Sequence, residues 1–356
     1  MPRISSKIAL CSLAAAVTAA AVSVPASGAQ GPAGISKPGI SAARTGLKPA
    51  KLRLLWKDEF NGKRGLPPSV KTSTRKANRS YNWVTEITGN PYNHERQFYT
   101  DDVVEFSPKG HIAHYAIELN GKGSLVINAR RPQKKTALHR GTFPQDFCAY
   151  GTCEWVSGRM NTKGQLSFKY GQIMARVWVP EGGGTWPALW LLGSDIDTNS
   201  WPSCGEIDVL ETAPTANFYG DIVGTLHSWP SDGFGMTARY TPDKPDLYSG
   251  WHTVGIRWLP NRVDFIADGN VYQTVTKADM TSDNNAVYVS SLGQTYNREW
   301  PFNKEFFMIL NLAMGGHFGG DPDDSYRAPD DSKGGSFMVD WIRVYSVDGV
   351  GKVIRH

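Results

Sequence analysis

Cysteine is scarce in this chain, with four among 356 residues. None stands with histidine at the spacing of a zinc site, so a structural zinc domain is excluded. No run of lysine and arginine stands out, and the formal net charge is only +5. Nucleic-acid binding has no footprint here. Long hydrophobic runs are missing after the first 24 residues, so no later segment approaches a membrane span. There is no long amphipathic helical pattern and no internal repeat, which leaves no basis for a bundle or a solenoid.

What is present begins with the first segment. Arg3 and Lys7 lead into an apolar, Ala-rich run over residues 8–24, and Ser27-Gly28-Ala29 follows. This reads as a secretory signal spanning residues 1–29, cleaved after Ala29. An uncleaved anchor is the alternative, but the run is short and broken by Ser, Thr and Pro25. Cleavage would remove Arg3 and Lys7 and no acidic residue, taking the net charge from +5 to +3. A neutral polysaccharide suits such a surface. The mature chain is expected to be a secreted monomer with no membrane or nucleic-acid partner.

Residues 30–50 are rich in Gly, Pro, Ser, Ala and Lys without apolar periodicity, and read as a flexible linker. The folded domain is expected over residues 51–348. Cys11 leaves with the signal. Cys148 and Cys153 enclose four residues, and an exported chain permits a disulfide between them. Cys204 is left as a small packing residue.

From Leu52 onward, short β-prone runs are separated by Gly, Pro, Asn and Asp. They fall at residues 124–130, 166–179, 188–192, 221–227, 252–258, 262–267, 306–313 and 336–345. Asp268-Gly269-Asn270 reads as a hairpin turn. Many strands at this spacing predict an all-β fold, one antiparallel β-sandwich whose concave face holds an extended groove.

The segment Gly205-Glu206-Ile207-Asp208-Val209-Leu210-Glu211 places three carboxylates within six residues of a strand-forming sequence. Alternation puts Glu206 and Asp208 on one face and Glu211 on the other. One bulged residue near Val209-Leu210 would return Glu211 to its partners. The glutamates then stand about 13 Å apart between Cα atoms at ~3.3 Å per step, and inward leaning leaves roughly 5 Å between carboxyl groups. That matches a retaining glycosidase, at about 5–5.5 Å. Acidic residues on a strand are often a solvated face. Here three like charges would weaken a sheet for no gain, which favours catalysis.

Twelve tryptophans are more than a core of this size demands. Trp186, Trp190 and Trp201 lie just upstream of the carboxylates. Their rings suit the C–H faces of sugars, and core packing is the alternative.

The chain resembles glycoside hydrolase family 16, in its laminarinase-like branch, from about Trp56 to Tyr345. The resemblance is carried by Trp56-Lys57-Asp58-Glu59-Phe60, Asn93-His94-Glu95-Arg96-Gln97-Phe98-Tyr99 and Ser157-Gly158-Arg159-Met160. It continues through Gly184-Thr185-Trp186-Pro187-Ala188-Leu189-Trp190, then Trp201-Pro202-Ser203-Cys204 running into the acidic segment. Gly224-Thr225-Leu226-His227 and Val339-Asp340-Trp341-Ile342-Arg343 close the series. It implies a β-jelly roll of the concanavalin-like kind and retaining endo-hydrolysis of β-1,3-glucan, sometimes with mixed 1,3-1,4 linkages. It carries the nucleophile onto Glu206, the acid/base onto Glu211 and a supporting carboxylate onto Asp208. The charge of Glu206 would raise the proton affinity of Glu211. Sugar contacts are implied at Asn93, Glu95, Arg159, Trp186, Trp190, Trp201 and His227. No cofactor is implied for catalysis. A structural calcium in some members points to Glu59 and Asp340.

Two departures stand out. Gly316-His317-Phe318-Gly319-Gly320 replaces an Asn-Trp pair after the double glycine, and residues 106–116 form an insertion. The acidic stretch 321–331 reads as a solvated loop or a second ion site. A glucan-binding module that lost catalysis, a transglycosylase, and the same chemistry on agar, carrageenan or xyloglucan are the competing functions.

Overall fold

Two antiparallel sheets lie face to face, and the alternation of their strands decides which residues fill the space between them. The computed structural model describes residues 50–65, 70–71, 81–89, 92–106, 109, 111–132, 148, 153–215, 217–229, 236–243, 245–281, 287–289, 295–322 and 336–356. The signal, residues 30–49 of the linker, most of the acidic stretch 321–331 and part of the insertion 106–116 lie outside them.

The outer sheet is centred on Phe337–Val347. That strand pairs with Gly171–Trp178 on one side, and with Leu52–Asp58 and Leu125–Ile127 on the other. His252–Leu259, Arg262–Ala267 and Asn270–Thr276 extend it beyond Gly171–Trp178. The inner sheet is centred on Phe306–Met314 beside Thr185–Gly193. It runs outward through Glu206–Glu211, Ile222–His227 and Met236–Tyr240. On its other side lie Arg159–Asn161 and Trp83–Thr85, the latter paired in parallel with Val70–Lys71.

Inward residues from both sheets form one core. Ile173, Ala175, Val177, Ile342 and Val344 face Leu189, Leu191, Ile207, Leu210, Leu310 and Leu312, all buried. Burial of such aliphatic side chains, at about 25 cal/mol per Å² of apolar area, is the main favourable term. The helices among the described residues are short, Lys277–Thr281 and Gly316–Gly319.

The sequence reading of one strand over 166–179 is corrected here. Tyr170 takes φ 60° and Gly171 φ 99°, which ends Leu166–Lys169 in the inner sheet and starts Gly171–Trp178 in the outer one. Pairing also continues past residue 348, where Lys352–Arg355 adds to Leu166–Lys169. Cys148 and Cys153 are joined as a disulfide with Cα atoms 5.3 Å apart. Cys204 is free and buried.

Candidate active site

Glu206–Glu211 pairs with Thr185–Gly193 out of simple register. Leu192 faces Glu206, Leu191 faces Ile207 and Trp190 faces Asp208. Then Leu189 faces Leu210 and Ala188 faces Glu211. Val209 has no partner, so the bulge sits where the parity argument places it. Ala188, Trp190 and Leu192 share one face of their strand, and directly opposed residues share a face across the pair. Glu206, Asp208 and Glu211 therefore all point to the open side. Ile207, Val209 and Leu210 enter the core.

Each glutamate is held by an indole. Trp201 Nε1 donates to Glu206 Oε2 over 2.8 Å, and Trp186 Nε1 donates to Glu211 Oε1 over 2.9 Å. Asp208, between them, has His227 Nε2 3.1 Å from its Oδ2. The Trp201 ring lies 5.9 Å from the imidazole. Glu206, Asp208 and His227 offer ligand atoms all within 4.8 Å of one another. The Glu206–Asp208 hydrogen bond and the His227–Asp208 pair account for that closeness.

Burial pushes all three carboxyl groups up. Glu206 rises to about 8, with the charge of Asp208 as the second cause. Glu211 rises to about 7, again through burial first, while His227 and the Trp186 N–H oppose the rise. The charge of Glu206 is a smaller contributor, so the expectation that it sets the proton affinity of Glu211 is corrected: burial does. Asp208 stands well above the ordinary aspartate value, through burial and then the charge of Glu211. Asp208 is also the most enclosed of the three, 2% exposed against part-exposed neighbours. The hydrogen bond between Glu206 and Asp208 raises Glu206 and lowers Asp208, so the two carboxyls titrate as a coupled pair.

The neighbouring strands complete the floor. Arg159 lies opposite Asn311, which lies opposite Ala188. The guanidinium sits 5.1 Å from the Trp190 ring centroid and 5.8 Å from that of Tyr99. Trp190 Nε1 donates to Asn311 Oδ1 over 2.8 Å. Glu95 is buried and accepts from Gln97 and Tyr99 at 2.6 and 3.1 Å; burial raises its carboxyl. Asn93 is exposed at φ 61°, and its carbonyl accepts from His317 N over 2.9 Å. Phe318, from the departing loop, lies tilted 5.2 Å from Trp186 and 4.6 Å from Phe218.

Sequence reasoning missed Glu86. Its carboxylate takes Arg159 Nε at 3.0 Å and Asn161 Nδ2 at 2.6 Å, which neutralises a cation that would otherwise suit a sulfated polymer. The backbone bond Glu86 N to Arg159 O, 2.9 Å, sets it there. Nothing in the sequence around Glu86 marks that pairing.

Glu59 and Asp340 are not brought to this site. They lie on the outer sheet side, Glu59 in a two-pronged pair with Arg343 at 3.0 and 2.9 Å and Asp340 with Arg176 at 2.6 Å. Carboxylates already committed to guanidinium groups do not fit a calcium ion, which needs them as ligands.

The model of the glycosyl hydrolases family 16 matches residues 119–306. The chain belongs to glycosyl hydrolase family 16. It is 28% identical over 302 residues to a glucan endo-1,3-beta-glucosidase A1 of Niallia circulans, covering 83% of this chain and 38% of that relative. It is 30% identical over 299 residues to a glucan endo-1,3-beta-glucosidase of Cryptopygus antarcticus, covering 82% and 91%. Among solved structures, an endo-beta-1,3-glucanase from Pyrococcus furiosus superposes with a TM-score of 0.61 at 30% identity, covering 83% of this chain and 95% of its own. The protein is thus a glycoside hydrolase with the jelly-roll sandwich of the family, and the acidic triplet lies on its open inner sheet.

Proposed function

We propose that the protein is a secreted endo-1,3-β-glucanase that works with retention by double displacement, tolerating some mixed 1,3-1,4 linkages. One observation carries the mechanism: the skipped Val209 puts Glu206 and Glu211 on the same open face. Relatives named as endo-1,3-glucosidases support the substrate. The neutralised Arg159 supports an uncharged polymer over a sulfated one.

In the first step Glu206 attacks the anomeric carbon, and the glycosidic C–O bond breaks as protonated Glu211 gives its proton to the departing oxygen. A glycosyl ester on Glu206 results. In the second step ionised Glu211 takes a proton from water, whose oxygen attacks the same carbon and releases Glu206. Asp208 hydrogen-bonds Glu206 and orients it. With Glu206 esterified its negative charge is gone, and Glu211 becomes more acidic, as its change of role requires. Carboxyl groups and water suffice for these steps. Asn93, Glu95, Arg159, Trp190 and His227 are assigned to the sugar. Export rests on the signal at residues 1–29 and agrees with the Cys148–Cys153 disulfide. A monomer is the proposed state.

The decisive measurement follows laminarin hydrolysis by proton NMR. The β anomer appearing first supports retention; the α anomer appearing first overturns it. No release of reducing ends would leave a binding module.

A further inference from the structure

Two tryptophans that the sequence offers as sugar platforms spend their polar edges on the catalytic carboxyls instead. Trp201 Nε1 reaches Glu206 at 2.8 Å and Trp186 Nε1 reaches Glu211 at 2.9 Å. Their settings differ. Trp201 precedes the acidic strand in a turn and is 42% exposed, its ring beside His227. Trp186 is 9% exposed and braced by Phe318, which leans in turn on Phe218. Two unrelated local structures thus deliver the same group, a neutral N–H donor, one to each acid.

We infer that Trp201 and Trp186 are positioning residues, each fixing one catalytic glutamate through its indole N–H and setting the protonation range in which that glutamate works. The chemistry favours an indole for this task. It donates and never accepts, and it does not titrate, so it holds a carboxylate without adding a charge that would compete with the neighbouring acids. A lysine or arginine in either place would pair with the glutamate and quench it as nucleophile or acid. A hydrogen bond to an ionised oxygen favours the ionised form. Trp201 therefore opposes the burial of Glu206 and helps keep the nucleophile charged. Trp186 opposes the burial of Glu211 and keeps its proton transferable.

The inference rests on the roles proposed for Glu206 and Glu211. Its experiment is chosen to fail separately from them. Trp201→Phe and Trp186→Phe keep a ring for the sugar and delete the N–H. Loss of the Trp201 donor should raise Glu206 and move the limb of the kcat/KM profile that Glu206 sets. Loss of the Trp186 donor should raise Glu211 and move the other limb, each by about one pH unit, the size of one such bond to a charged oxygen. kcat should fall in both more than KM rises. Trp190→Phe is the control: its N–H goes to the amide of Asn311, so both limbs should stay where they are even if KM rises. Where a Phe variant fails to fold, benzothienylalanine at the same position replaces the N–H with sulfur at nearly constant shape. Unmoved limbs with a raised KM alone, in either substitution, would overturn the inference and leave both residues as sugar platforms. That outcome leaves retention and the glutamate roles standing. Loss of those roles would instead show as turnover by Glu206→Ala.

Discussion

Trp190 stands opposite Asp208, while Leu189, its neighbour, stands opposite Leu210. The one residue skipped between them, Val209, decides the faces of all that follow. Its removal would leave Glu206, Asp208 and Glu211 at every second position, and strict alternation would keep all three on the open face. A Val209 deletion is therefore expected to keep measurable hydrolysis and to melt at lower temperature. Val209→Ala keeps the extra residue and should keep most of the activity, with a packing loss of about 2 kcal/mol. A folded deletion variant that releases no reducing ends would sink the parity argument.

Glu206→Ala should abolish turnover on glucan. Azide fills the space of the missing carboxylate and attacks directly, so the rescued product should be the α-glycosyl azide. Product NMR checks the configuration. A variant that hydrolyses well without azide removes Glu206 from the nucleophile role.

Glu211→Ala should lose about 10²- to 10⁴-fold on glucan, the usual worth of a general acid. Aryl glycosides whose leaving group needs no proton should form the glycosyl-enzyme at close to the normal rate. Pre-steady-state bursts separate the two steps. Equal losses on both substrates would argue against the acid assignment.

The raised value of Glu211, about 7 against 4.5 for a free glutamate, has two consequences. Catalysis needs its proton together with an ionised Glu206, so activity should peak between about 7 and about 8 and fall on either side. Stability follows the same sign. A carboxyl whose folded value is raised contributes fully below about 4.5, and the contribution is lost as pH climbs to about 7. Glu211→Gln cannot ionise. Its melting temperature relative to the parent should therefore be higher at pH 8 than at pH 4. A constant difference at both would show that Glu211 is not strained by its charge.

Gly205 precedes the acidic strand at φ 77°, and a Cβ there would lie 2.7 Å from Pro301 and 3.1 Å from Phe306. Gly205→Ala meets both a disfavoured backbone region and a hard wall. A loss of about 1–3 kcal/mol is expected by urea melt, together with reduced kcat because Glu206 is the next residue. Unchanged stability would mean that Pro301 yields freely.

Much of this was legible in the sequence because alternation is a local property. The strand Arg262–Ala267 has the bounds its pattern predicts, the run 306–313 grows to Phe306–Met314, and the run 336–345 shifts to Phe337–Val347. The acids were legible because a single odd-numbered spacing forces a bulge or a lost carboxylate. What stayed hidden depends on partners far along the chain. The change of sheet at Tyr170 leaves the hydrophobic pattern uninterrupted. Glu86 meets Arg159 only because two short strands pair. The motif containing Glu59 suggests an ion site, but Arg343, 284 positions away, takes the carboxylate first.

Both sheets are built around strands made late. Phe337–Val347 holds together Leu52–Asp58 and Gly171–Trp178, and Phe306–Met314 joins Thr185–Gly193 to Arg159–Asn161. A nascent chain lacks the middle of either layer until residues 306–347 have left the ribosome. Closing such distant pairings is slow, so neither layer can bury its inner face until those two strands arrive.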